Sequence, residues 1–243
     1  MLKAIQKREF GFADVIANGW SIYSQQFKAI ALVTLIVYIP INIILYVASG
    51  YVSDFKAFMN MIKILEGSFG VIGMMGVAVI VDHAIHNNDN LPISWGAVLS
   101  KAFSRWGSCL TTSIIGGCII FGMTLLFIVP GIIWSTYYIF VIQIIALREL
   151  SGKAALNYSK SLVKGRWWKI FGIMIALALI TGGLGLGLGY LSALLPSSIS
   201  ILMNTLIDII SAFYIVATTI LFLNLDYMSI DIRKIETTHS ATD

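Results

Sequence analysis

GSCLTTSIIGGCIIFGMTLLFIVPGIIWSTYYIFVIQIIAL, residues 107–147, contains no charged side chain. A helix that crosses the hydrocarbon of a bilayer needs about 20 apolar residues, so this stretch is long enough for two crossings. Pro130-Gly131 falls inside it, and proline followed by glycine is a turn signal. The expected structure is a helical hairpin with its turn at Pro130-Gly131, on the far side of a membrane.

The rest of the chain has the same character. Its 243 residues are 58% hydrophobic and 12% charged, where soluble domains carry about 25% charge. An aqueous globular enzyme is therefore not expected. Residues 29–48 form a first span with Pro40 as its kink site. Residues 67–81, extended by Ala84 and Ile85, form a second, with Gly67, Gly70, Gly73 and Gly76 placed for close helix approach. Spans three and four are the hairpin. A fifth runs over about 168–190 and a sixth over about 199–225, separated by Pro196-Ser197-Ser198 and followed by a polar, fraying tail over 226–243. The first apolar run lies too far behind Lys3, Lys7 and Arg8, and is too long, for a secretory signal, so it reads as an uncleaved span.

Charge sets the orientation. The segments before span one, between two and three, between four and five and after six carry 14 of the lysines and arginines, and Lys56 and Lys63 are the other two. That bias places both termini in the cytoplasm and requires an even number of spans, here six. The formal charge of +4 follows from this topology, and no nucleic-acid partner is expected.

Three cytoplasmic segments resemble one another: Ser21-x4-Gln26-Phe27, Ser100-x4-Arg105-Trp106 and Ser161-x4-Arg166-Trp167 each precede an odd-numbered span. Polar stripes at helical spacing (Asp14, Asn18, Ser21, Gln25; Lys153, Asn157, Lys160, Lys164) lie opposite apolar ones. The expected architecture is all-α: a polytopic bundle of six transmembrane helices with three amphipathic helices at the cytoplasmic interface. It forms one integral membrane domain over 1–243, a unit of interfacial helix and two spans three times over, at about 10–86, 92–149 and 151–225. Trp20, Trp95, Lys101, Arg105, Trp106, Lys160, Lys164, Arg166, Trp167 and Trp168 are the lipid-interface candidates, directed at anionic headgroups.

Ionisable or amide side chains within spans are candidates for function. Asp208, with Asn204 one turn earlier, leads them, and Gln143 and Asn42 are placed with it as walls of one polar cavity. His83 and His86 are the nearest approach to a metal pair, but no H-E-x-x-H or Cys/His zinc spacing accompanies them, so no metal and no cofactor is expected. Cys109 and Cys118 lie nine positions apart, about 900° around a helix, on opposite faces where no intramolecular disulfide can form. Glu149 is expected to pair with Arg148. The glycines at 182, 183, 185, 187 and 189 lack the Gly-Lys-Ser/Thr ending of a phosphate loop and read as close packing or an unwound helix end.

Phe127-Ile-Val-Pro-Gly-Ile-Ile133, the span ending near Glu149, Gly152-x-Ala154-Ala-Leu156, Ser159-x-Ser161 before Trp167, and Asn204-Thr-Leu-Ile-Asp-Ile-Ile-Ser211 resemble the YciC-type bacterial inner-membrane proteins. These are similar in turn to the membrane domain of some glycerophosphodiester phosphodiesterases. The resemblance implies a multi-pass bacterial inner-membrane protein and assigns no reaction, because the phosphodiester chemistry belongs to a soluble domain with no counterpart here. Two functions follow as expectations. The first is a non-enzymatic membrane component that interacts with lipids, a membrane protein partner or a second copy of itself. The alternative is a small transporter or export factor for an amphipathic solute, which requires Asp208, Asn204, Gln143 and Asn42 to face one another.

Overall fold

The computed structural model describes residues 5, 8–51, 53–86, 94–195 and 197–240. Lys3, Lys7 and Pro196 fall outside these residues, and the side chains of Lys63 and of the polar tail from 231 onward are likewise not described. Among the described residues all regular structure is helical: α1 (Phe12–Gln25), α2 (Phe27–Ser49), α3 (Phe55–His86), α4 (Trp95–Leu126), α5 (Ile128–Tyr137), α6 (Val141–Arg148), α7 (Gly152–Val163), α8 (Trp167–Ala193) and α9 (Ser197–Ser240). Six of the helical segments are long and apolar enough to cross a membrane, with α5 and α6 together making one.

Helix α9 is the hub and packs against α8, α2, α1, α3 and α7. Its stretch Val216, Ala217, Ile220, Leu221, Phe222, Leu223 and Leu225 is wholly buried. The outer helices keep their apolar side chains exposed, as Phe121, Leu125 and Leu126 do. A surface of this kind is compatible with lipid tails, which are as apolar as the side chains themselves.

The second span begins at Phe55 rather than near 67, so Lys56, Lys63 and Glu66 belong to its first turns. Its glycine row does what its spacing predicts at three of four positions. A Cβ at Gly70 or Gly73 would come within 3.0 Å of Tyr38, and one at Gly76 within 2.8 Å of Val33, whereas Gly67 faces open space. The row at 182–189 behaves differently. Helix α8 runs through it unbroken, and only Gly185 has a neighbour, Ile207 at 3.8 Å. That row neither unwinds the helix nor packs it closely.

The hairpin turn is displaced from Pro130-Gly131. The chain is extended at Phe127 (φ −159°, ψ 148°), and Pro130 is already the third residue of α5. Proline within the first turn of a helix removes an N–H that has no intrahelical partner. Had α4 continued, the ring would have pressed on the carbonyl four residues back, at Leu126, so the break precedes the proline. Gly131 then lets α5 fold against α4, since a Cβ there would lie 2.1 Å from Thr124 Oγ1.

The other break in this span, at 138–140, is closed from outside. Ser159 of α7 is fully buried; its hydroxyl donates to the Tyr137 carbonyl at 2.7 Å and accepts from the Phe140 N–H at 3.3 Å.

Helices α1 and α7 are separate and amphipathic, with Val15, Gly19, Ile22 and Tyr23 of α1 and Ala155, Leu156, Ser159, Leu162 and Val163 of α7 turned inward. The segment expected to be the middle helix of this kind is not separate. Residues 95–106 continue into the third span as one 32-residue helix. Gln26 breaks the first unit and Gly165, at φ +84°, lies at the break in the third, whereas Gly107 stays helical. The sixth span also overruns its expected end, and α9 continues helical through the polar residues to Ser240. Cys109 is buried and Cys118 exposed, on opposite faces as the spacing requires.

Candidate functional site

Thr34, Tyr38 and Asn42 follow one another at steps of four on α2 and so share a face. That face meets Thr205 and Asp208 of α9. The Asn42 amide donates to Asp208 Oδ2 at 2.9 Å and lies 3.3 Å from Thr205 Oγ1. Asp208 lies on the wall of a partly open cavity of about 310 Å³ lined by α2, α3, α8 and α9. Its polar lining is Thr34, Tyr38, Thr181, Asp208, Ser211 and Tyr214, and Met74, Val77 and Ile215 are among its apolar walls. Small-molecule sites span roughly 300–1,000 Å³, so this one accepts a compact group.

Not every polar group in that lining is available. Thr181 donates to the Leu177 carbonyl one turn back at 2.8 Å, and the Tyr38 hydroxyl donates to the Gly70 carbonyl at 3.3 Å.

The four residues expected around one cavity divide. Asn42 and Asp208 come together, 166 positions apart in the chain. Asn204 is on an exposed face of α9. Gln143 is buried in α6, its Oε1 without a partner among the described residues, and it does not line the cavity. The helical period explains Asn204: four positions from Asp208 is one turn with about 40° of drift, and Asp208 faces inward only at its margin.

A second polar centre was not legible as such. Asp226, with no exposed surface, accepts from Arg148 Nε at 2.9 Å and Nη2 at 2.7 Å, and from the Tyr158 hydroxyl. The expected Arg148–Glu149 pair does not form. Glu149 turns away in the left-handed conformation that ends α6 (φ 59°) and pairs with Arg105 instead. Beside this centre His86 Nδ1 lies 2.8 Å from the Asp82 carbonyl, and Nε2 meets the Tyr227 hydroxyl. Both ring nitrogens of His86 are thus occupied. Among the described residues no three His, Cys, Asp or Glu side chains gather as a metal site.

A third signal missed from the sequence is Asn224. Buried, it donates to the carbonyls of Ile5 and Arg8 at 2.6 and 2.9 Å and accepts from the Phe10 N–H at 2.8 Å, tying the N-terminal segment to α9.

The interface candidates also separate. Trp20, Trp95, Trp168 and Lys164 are exposed and Lys101 is partly so. Trp106 donates to the Ser68 carbonyl at 2.6 Å and Trp167 to that of Ile133 at 3.2 Å. Arg105 pairs with Glu149, Arg166 with Glu9 at 3.3 Å, and Lys160 lies 4.3 Å from the Trp134 ring centroid. About half the set is spent inside the molecule.

These features define a class: a multi-pass helical membrane protein with an acidic side chain on the wall of a partly open cavity between its spans. No family model, no curated protein and no solved structure matches the chain.

Proposed function

We propose that this is a non-enzymatic protein of a bacterial inner membrane, multi-pass with both termini cytoplasmic, that holds the head of an amphipathic molecule in the Asp208 cavity. The observation that carries the reading is Asp208, hydrogen-bonded to Asn42, on the wall of a cavity between apolar spans. A carboxylate within a span is costly and marks a substrate or ion path more often than not. The alternative of a small transporter or export factor becomes a narrower form of the same reading, supported by Asp208 on the cavity wall and by the Asn42 amide bonded to it. YciC-type membership belongs to the proposal too, on the resemblance of the second half of the chain.

A second surface is favoured by its own observation. Trp20, Trp95 and Trp168 are each more than half exposed, and Lys164 and Lys101 carry the charge on the segments that bear Trp168 and Trp95. Membrane lipids with anionic headgroups fit this belt, and a protein partner or second copy would compete for it.

The protein in nanodiscs should show a raised unfolding midpoint with at least one amphipathic solute from a panel of cationic, neutral and anionic heads. Binding at a hundred times the dissociation constant contributes about 2.7 kcal/mol. Asp208→Asn should remove most of that shift while leaving any shift from anionic lipid intact. If no solute in the panel moves the midpoint, the cavity reading fails.

A further inference from the structure

Resting on the reading of the cavity as a binding site, we propose that its occupant is an organic ammonium ion, a quaternary or primary amine carried on a short alkyl chain. The charge balance points there first. Among the described residues the ion pairs join Arg8 to Asp14, His86 to Asp82, Arg105 to Glu149, Arg148 to Asp226, and Arg166 and Lys169 to Glu9. None includes Asp208. Among the described residues its carboxylate accepts a hydrogen bond from the neutral Asn42 amide at 2.9 Å. Glu66 is a second carboxyl on α3, the helix that supplies Gly73, Met74 and Val77 to the cavity. A cation entering the cavity supplies the missing charge, whereas a phosphate or sulfate head meets repulsion.

The aromatic lining points to the same class. Tyr38 and Tyr214 both border the cavity, and the faces of tyrosine rings attract alkylammonium groups. Tyr38 is held in place before any ligand arrives. Gly70 and Gly73 leave its ring the room that a Cβ would fill at 3.0 Å, and its hydroxyl is anchored on the Gly70 carbonyl at 3.3 Å. A sugar or other polyol head is disfavoured for a separate reason. It needs several hydroxyl and amide partners, yet Thr181 and Tyr38 already spend their donors on backbone carbonyls. Met74, Val77 and Ile215 leave apolar wall for the alkyl portion.

The test is equilibrium binding of hexyltrimethylammonium, hexyl sulfate and hexan-1-ol to the full chain in maltoside micelles, with empty micelles subtracted. The expected result is that the ammonium binds at least tenfold more tightly than either of the others. Asp208→Asn should erase that preference, Tyr38→Phe should keep it within about threefold, and Tyr38→Leu should weaken ammonium binding about tenfold. The charge preference among the three probes is read in the unaltered protein, so the proposal stays exposed even if Asp208→Asn does not fold. Equal binding of all three probes overturns the ammonium assignment and leaves the cavity as an amphipath site. Binding of none overturns the assignment together with the cavity reading on which it rests.

Discussion

Arg148→Met should destabilise the protein by about 3–5 kcal/mol, because it leaves the carboxylate of Asp226 buried without its cation. Asp226 has no exposed surface, and Arg148 grips one of its oxygens with two nitrogens while the Tyr158 hydroxyl takes the other. The double variant Arg148→Met with Asp226→Leu should recover most of the loss. A buried ion pair replaced as a unit by apolar side chains of similar size is often neutral, because the desolvation of both charges disappears with their attraction. What remains is the lost hydrogen bond from the Tyr158 hydroxyl to Asp226, worth about 1 kcal/mol. Equilibrium unfolding in mixed micelles reads both values. Losses that simply add in the double variant would show that the pair is not a coupled unit.

Gly131→Ala is the second substitution with a large expected effect. The new Cβ would lie 2.1 Å from Thr124 Oγ1 and 3.2 Å from Thr124 Cα, so a rotamer change alone cannot relieve it and α5 must move away from α4. Overpacking of this kind costs about 1–3 kcal/mol. Adding Thr124→Gly removes the opposing side chain and should return part of that stability, less about 0.3 kcal/mol for the lower helix propensity of glycine than of threonine. By contrast, alanine at Gly187 or Gly189, where a Cβ meets nothing within 4 Å, should leave the unfolding midpoint unchanged or raise it slightly. If Gly131→Ala unfolds at the wild-type midpoint, the close approach of α4 and α5 at the hairpin is wrong.

The contrast between those glycines also marks where sequence reasoning succeeds. The rows at 67–76 and 182–189 look equally suited to close packing, yet only the first is packed. Spacing says which residues share a face but not which face meets a neighbour. Tyr38 decides the matter for Gly70 and Gly73, and it lies on a different helix, more than 30 positions away.

The six spans were legible because the cost of placing a segment in hydrocarbon is a sum over that segment's own residues, and the apolar runs carry that sum without reference to the rest of the chain. Asp208 was legible as the leading candidate for the same reason: a carboxylate stands out in a run that should contain none. The interior of the turn region was read less well. Pro130 marked a break but acts on the carbonyl four residues earlier, and the second break at 138–140 is stabilised by Ser159 from another helix.

Tertiary packing alone assigned the partners. Asn42 and Asp208 are joined across 166 positions, Arg148 and Asp226 across 78, and Asn224 to the N-terminal segment across more than 210. Gln143 and Asn204 carry the same local signature as Asn42 and point elsewhere. Hydropathy accumulates along the chain and can be read from it, whereas a hydrogen bond between helices depends on their relative rotation, which is set only when all of them pack together.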